Sequence, residues 1–144
     1  MSDLARPSSG GPGEDELAIC NLIHRAALLN DGGAIDDYLD CWTEDMVWER
    51  AGAERQDRSA FREAVASRRQ GGRSGPGSGG CHLVLNLVVA VDTPFAATAD
   101  FYMLFLSAAG AAPSVQSVYR NRDSLRKTPG GWRIAHRVIG PGIS

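Results

Sequence analysis

Residues 81–92 read CHLVLNLVVAVD, an apolar run rich in leucine and valine, with a histidine near its start and an asparagine four positions later. The run reads as a buried strand. Alternation sends successive side chains to opposite faces. It therefore groups His82, Val84, Asn86 and Val88 on one face and Cys81, Leu83, Leu85, Leu87 and Val89 on the other. Two polar groups on a buried face cost about 1–3 kcal/mol each when unpaired. Something polar must face His82 and Asn86.

Three more strand-like runs follow: PFAATADFYMLFLSA, SVQSVYRNRDSLRK and GWRIAHRVI. Short connections, DTP, AAGAAP and TPGG, separate them, which is the pattern of an antiparallel meander. Upstream the period changes. DELAICNLIHRAALLN, from Asp15 to Asn30, repeats its apolar residues every three to four positions and carries acid in its first turn, so it reads as a helix ending at NDGG. AIDDYLDCW reads as a short second helix with Ile35, Tyr38, Leu39 and Trp42 as its stripe. TEDMVWE leads into a short strand built on Met46, Val47 and Trp48. SAFREAVASRRQ reads as a third helix capped by Ser59. Helices first and strands after indicate an α+β fold, a curved sheet wrapped over three helices with a conical pocket between them.

Between the third helix and the strands lies GGRSGPGSGG, Gly71 to Gly80. It has no apolar anchor and reads as a flexible loop, a lid over the pocket being one use for it. It does not match the P-loop pattern, and no helix follows it. The first residues, 1–13, are rich in Gly, Pro and Ser and read as a disordered tail without a secretory h-region. The remainder, 14–140, forms one domain.

The 144 residues carry a formal charge of −2, which gives no footprint for nucleic acid. No run is apolar enough to span a membrane. Cys20, Cys41 and Cys81 are odd in number and lack CxxC spacing, so they read as reduced, buried thiols of a cytoplasmic protein. His24, His82 and His136 have no metal-ligand spacing. His24 reads as a packing or surface residue and His136 as a sheet-surface or interface residue. Arg68 and Arg69 read as solvated or interface arginines. No metal and no cofactor are expected.

The order of helix, NDGG turn, short helix, TEDMVWE, helix, loop, H-x-x-x-N and a terminal YRNRDSLRK-x-x-GGWRI hairpin resembles the NTF2-like superfamily, and within it the SnoaL-like group. The resemblance spans about residues 14 to 140. That superfamily holds dehydratases, isomerases, hydrolases, polyketide cyclases, dioxygenase small subunits and binding modules, so the fold alone does not fix the activity.

Members resembling scytalone dehydratase and bile-acid dehydratase pair an aspartate ending the first helix with a histidine opening the first long strand. Asp31 and His82 stand at those positions, and Asn86 resembles the family's asparagine four residues later. The resemblance implies that Asp31 orients His82, and that His82 acts as a general base in elimination or isomerisation. A tyrosine or lysine found in several members is replaced here by Ala26. A polarising donor must then come from Tyr119, Tyr102 or Arg120. Glu49 stands near the carboxylate base of ketosteroid-isomerase-like members but not on it.

Trp42, Trp48, Val84, Phe101, Tyr102 and Met103 are expected as apolar pocket wall, with Asn86 and Tyr119 positioning the substrate. The function implied is that of a cofactor-independent lyase, dehydratase or isomerase for a small hydrophobic cyclic molecule. The alternative is a non-catalytic ligand-binding protein or an assembly protein like a dioxygenase small subunit. An apolar outer sheet face implies a homodimer or homotrimer.

Overall fold

The computed structural model describes residues 13–110 and 112–143; the expected tail, apart from Gly13, lies outside them. Helix α1, Glu14–Gly32, opens with Glu14, Asp15 and Glu16, whose charges suit the positive end of the helix dipole. It buries Ile19, Ile23, Ala26 and Ala27 along one face. Its last turn has no basic residue, so its carbonyls depend on a donor from elsewhere. That donor is Arg69, which reaches back to the carbonyl oxygens of Leu29, Asn30 and Gly33 at 3.1, 3.0 and 2.7 Å. Arg69 is therefore a helix cap, not the solvated or interface arginine expected from the sequence.

Helix α2 covers Ile35–Leu39. It stops before Trp42, which instead opens strand β1, Trp42–Arg50. A turn leads into β2, Glu54–Gln56. Helix α3, Arg58–Gln70, is capped by Asp57, whose carboxylate accepts from the backbone N–H of Ala60 at 2.9 Å. The expected cap, Ser59, lies inside the helix. Asp57 is extended, so its side chain reaches the third N–H of the first turn.

The long strands are β3, Gly80–Thr93; β4, Ala96–Ser107; β5, Ser114–Thr128; and β6, Gly131–Pro141. They form the expected meander in a six-stranded sheet of order β2-β1-β6-β5-β4-β3. Strand β1 runs parallel to β6, and the remaining pairs are antiparallel.

Among the described residues the sheet has five register shifts, one of them at Asn86 in β3 and one at Ala135 in β6. In β3, Leu85 pairs with Tyr102 and Val88 with Asp100, so Asn86 and Leu87 oppose the single residue Phe101. Asn86 takes the extra step in the left-handed region, φ 55°, where asparagine is better tolerated than most side chains. In β6, Ser124 pairs with His136 and Leu125 with Ile134, which leaves Ala135 unopposed. Bulges bend a sheet and raise its twist, and here they curl it around the helices. The core under the curl joins Ile19 and Ile23 of α1 to Leu39, Trp42, Phe61, Phe101 and Ile134. The rings of Trp42 and Phe61 lie 4.8 Å apart.

Candidate active site

Asp31 sits in the last turn of α1, which Arg69 ties down through its neighbours' carbonyls. His82 is the third residue of β3. Asp31 grips it twice. Oδ1 lies 2.6 Å from the ring Nδ1, and Oδ2 accepts from the backbone N–H at 2.8 Å. The side chains are only 16% and 19% exposed. The grip leaves Nε2 as the ring nitrogen not held by Asp31, and the ring packs 4.8 Å from that of Phe105.

His82 stands in the wall of a cavity of about 270 Å³. Met103 and Phe105 of β4, Phe61 of α3, Trp48 of β1 and Ile139 of β6 give it an apolar side. Ser117, Tyr119 and Asn121, at alternate positions of β5, give it a polar one. Asn121 is 1% exposed, and neither its amide nitrogen nor its amide oxygen has a protein partner. A buried amide left so costs about 1–3 kcal/mol. Alternation from Tyr119 was enough to place it, but nothing in the sequence marks its lack of a partner.

Tyr119 has its phenol held below the usual tyrosine range by a hydrogen bond with Ser117, with Arg50 adding to the effect against the opposing effect of burial. The Arg50 guanidinium lies 5.3 Å from the Tyr119 ring centre. Tyr38, also in the wall, is pushed up by burial. Arg137 forms the floor beside Ile139 and is locked to the fully buried Asp123 by two bonds of 2.7 and 2.8 Å. Burial alone would lower this guanidinium's pKa, but the Asp123 charge and hydrogen bonds outweigh it and leave it raised. Breaking such a pair from one side costs about 3–5 kcal/mol.

The cavity rim is basic. Arg50, Arg68 and Arg73 line it with one carboxylate, Glu54. Arg68 was expected at the surface or an interface; here it lines the cavity, and burial, the largest effect on its pKa, lowers it. Arg73 and the buried Ser74 come from the glycine-rich loop, whose start is anchored by Gly71, Gly72 and Arg73 N–H groups bonding back into α3.

The structure brings His82, Asp31, Tyr119, Trp48 and Met103 to the cavity or its edge and sends the other expected residues elsewhere. The β3 bulge turns Asn86 out, so it is exposed and absent from the lining. The same shift places Leu87, Val89 and Val91 against the core where Val88 had been expected. Trp42 and Phe101 are 2% and 1% exposed and packed within the core, under the Arg137 guanidinium, rather than on the cavity surface. Val84 packs against that core too. Tyr102 alternates with the inward Phe101 and Met103, so it points to the outer face, where Arg120 stacks on it at 5.2 Å. Glu49 is also outside the cavity, bonded to His136 and near Arg55.

Among the described residues, no group of three His, Cys, Asp or Glu side chains is placed to hold a metal ion, and no helix is long and apolar enough to cross a membrane.

The architecture recurs in solved structures. An NTF2-like protein with a cystatin-like fold from Novosphingobium aromaticivorans is similar at 25% identity and TM-score 0.78, over 89% of this chain and 82% of that one. Rv3472, a protein of unknown function from Mycobacterium tuberculosis, is similar at 29% identity and TM-score 0.71, over 86% and 74%. A provisionally assigned scytalone dehydratase from Novosphingobium aromaticivorans shares the fold at 14% identity and TM-score 0.71, over 86% and 81%. No curated protein matches. The SnoaL-like domain model matches residues 13–138, nearly the whole curled sheet and its helices, and the chain belongs to the SnoaL-like domain family within the NTF2-like fold.

Proposed function

We propose that the protein is a cofactor-independent dehydratase or isomerase of a small cyclic compound, with His82 as general base and Asp31 as the residue that orients it. The observation that carries this reading is the two-point grip of Asp31 on His82 at the wall of the cavity. With Nδ1 facing a carboxylate, the neutral ring keeps its proton there and offers the Nε2 lone pair. Membership of the SnoaL-like family fits such cofactor-free chemistry.

Nε2 takes a proton from a carbon beside a carbonyl, and the C–H electron pair moves onto the carbonyl oxygen. In dehydration the pair returns to form the new double bond as the β-hydroxyl leaves. The imidazolium gives its proton to that hydroxyl, and water departs. In isomerisation the imidazolium returns the proton to a different carbon. The carboxylate of Asp31 stabilises the transient imidazolium. The Asn121 amide and the Tyr119 hydroxyl supply donors for the oxygen that gains charge. Phe105, Met103 and Phe61 hold the ring of the substrate and keep water off it.

Replacing His82 with Ala is expected to cut turnover of a cyclic β-hydroxyketone or enone by about 10²–10⁴, with the fold unchanged by circular dichroism. A variant that retains full turnover removes His82 from catalysis. Tight binding with no turnover by the native protein would favour a ligand carrier. We propose self-association as well, on the exposed Leu83, Leu85 and Val115 of the sheet; light scattering that gives a monomer mass would oppose it.

A further inference from the structure

We infer that the cavity selects a ring compound bearing a carboxylate, bound at the rim by Arg68 and Arg73 while the ring lies on the apolar wall beside His82. The inference rests on the proposed function for the identity of the site, and adds the charge of its substrate.

The charge balance of the rim points there. Of the four arginines lining the cavity, Arg137 is spent on Asp123 in the floor. Arg50 has Glu54 within 3.8 Å. Among the described residues, Arg68 and Arg73 have no carboxylate within 4 Å and no side-chain hydrogen bond to a protein acceptor. Burial, and then the nearby charges of Arg73 and Arg50, disfavour the Arg68 charge, against the favourable influence of Tyr38 and Glu54. Arg50, Arg68 and Arg73 share the one lining carboxylate, Glu54; the excess of like charge is destabilising, and a bound anion offsets it. The arrangement is also unusual for a chain of net charge −2, so the positive rim is a local feature.

The remaining features narrow the anion. Planar guanidinium groups match a carboxylate in two-point contact. Two unpaired arginines beside Glu54 suit a singly charged group better than a doubly charged phosphate ester. Trp48, Phe61, Met103 and Phe105 provide a surface for a ring, so a bare inorganic anion would use only part of the cavity. Asn121, with its unpartnered amide, is left for a carbonyl or hydroxyl on the same molecule. A basic rim also speeds the capture of an anionic ligand from solution.

The test is calorimetric titration of the full-length protein with benzoate and cyclohexanecarboxylate against their carboxamides. The acids are expected to bind at least tenfold more tightly than the amides at low ionic strength, with the preference shrinking as salt is added. Arg73→Gln and Arg68→Gln should each reduce the preference several-fold, and the double variant should abolish it. Arg73→Lys should keep part of it. Because Arg73 is exposed, its variants report on binding even if Arg68→Gln impairs folding. His82→Ala should retain the preference, which separates this inference from the catalytic one. Equal binding of acid and amide, an unchanged preference in Arg73→Gln, or no saturable binding of either acid overturns the inference, and leaves His82 catalysis on a neutral ring standing. A preference for the acids, with turnover indifferent to His82, leaves the anion site standing and removes the catalytic role.

Discussion

Asp31 holds His82 by ring and by backbone at once, Oδ1 to Nδ1 at 2.6 Å and Oδ2 to the amide N–H at 2.8 Å. One carboxylate thereby fixes the tautomer of the imidazole and the position of the strand that carries it. Asp31→Asn keeps one oxygen but puts an N–H₂ group where the second acceptor stood. The variant is expected to lose about 1–3 kcal/mol of stability, the cost of leaving a buried donor unmatched, along with most of any His82-dependent turnover. Urea unfolding and turnover measured on the same preparation check both. Unchanged stability would mean that the two-point grip contributes nothing to the fold.

Asn86 is expected to matter to the sheet and not to the ligand. It sits at φ 55° on the β3 bulge, exposed and outside the cavity lining. Asn86→Gly should be neutral or slightly stabilising. Asn86→Val should cost about 1–2 kcal/mol, since a β-branched side chain resists the left-handed region. Ligand affinity should hold in the glycine variant. A glycine variant with weakened binding would return Asn86 to the site.

Tyr119 should release its proton at lower pH than Tyr38 in an ultraviolet titration. The hydrogen bond with Ser117, then Arg50, favours its phenolate, while burial disfavours that of Tyr38. A phenol whose pKa is lower when folded than the ordinary value binds fewer protons in the native than in the unfolded chain. Its contribution to stability is therefore present in full above the unfolded value and is lost as pH falls through the native one. Tyr119→Phe should delete the early component of the titration, and Ser117→Ala should move it upward. An early component that survives Tyr119→Phe belongs to another residue.

The helices, the four long strands and the terminal hairpin were legible because their signals are local: period, alternation and Gly-Pro turns. Tyr119, Trp48 and Met103 were expected near the cavity from strand patterns of the same local kind, whereas Asp31 and His82 were brought together only by the family resemblance. The errors have one cause each. Asn86 looked like a pocket residue because an asparagine that continues a strand and one that takes a left-handed step are the same letter. The bulge it makes then displaced Val88. Tyr102 sits between two inward residues, so strict alternation from Phe101 already sends it outward. Arg69 looked solvated because its acceptors lie on another helix, although the absence of a basic residue in the last turn of α1 was a visible hint. The Arg68–Arg73 rim and the unpartnered Asn121 arise only when β1, α3 and β5 come together.

The position of β6 has a consequence for the order of assembly. It lies between β1 and β5, and the backbone N–H of Ile134 bonds to the carbonyl of Cys41 at 2.9 Å. Before β6 is synthesised, β1 has only the short β2 as a hydrogen-bonded neighbour. The meander of β3, β4 and β5 can pair as it emerges, but closure waits for the final strand. That strand also carries Arg137 and Ile139, the floor of the cavity. The nascent chain therefore has no complete cavity until β6 is made, and such long-range pairing is slow to form.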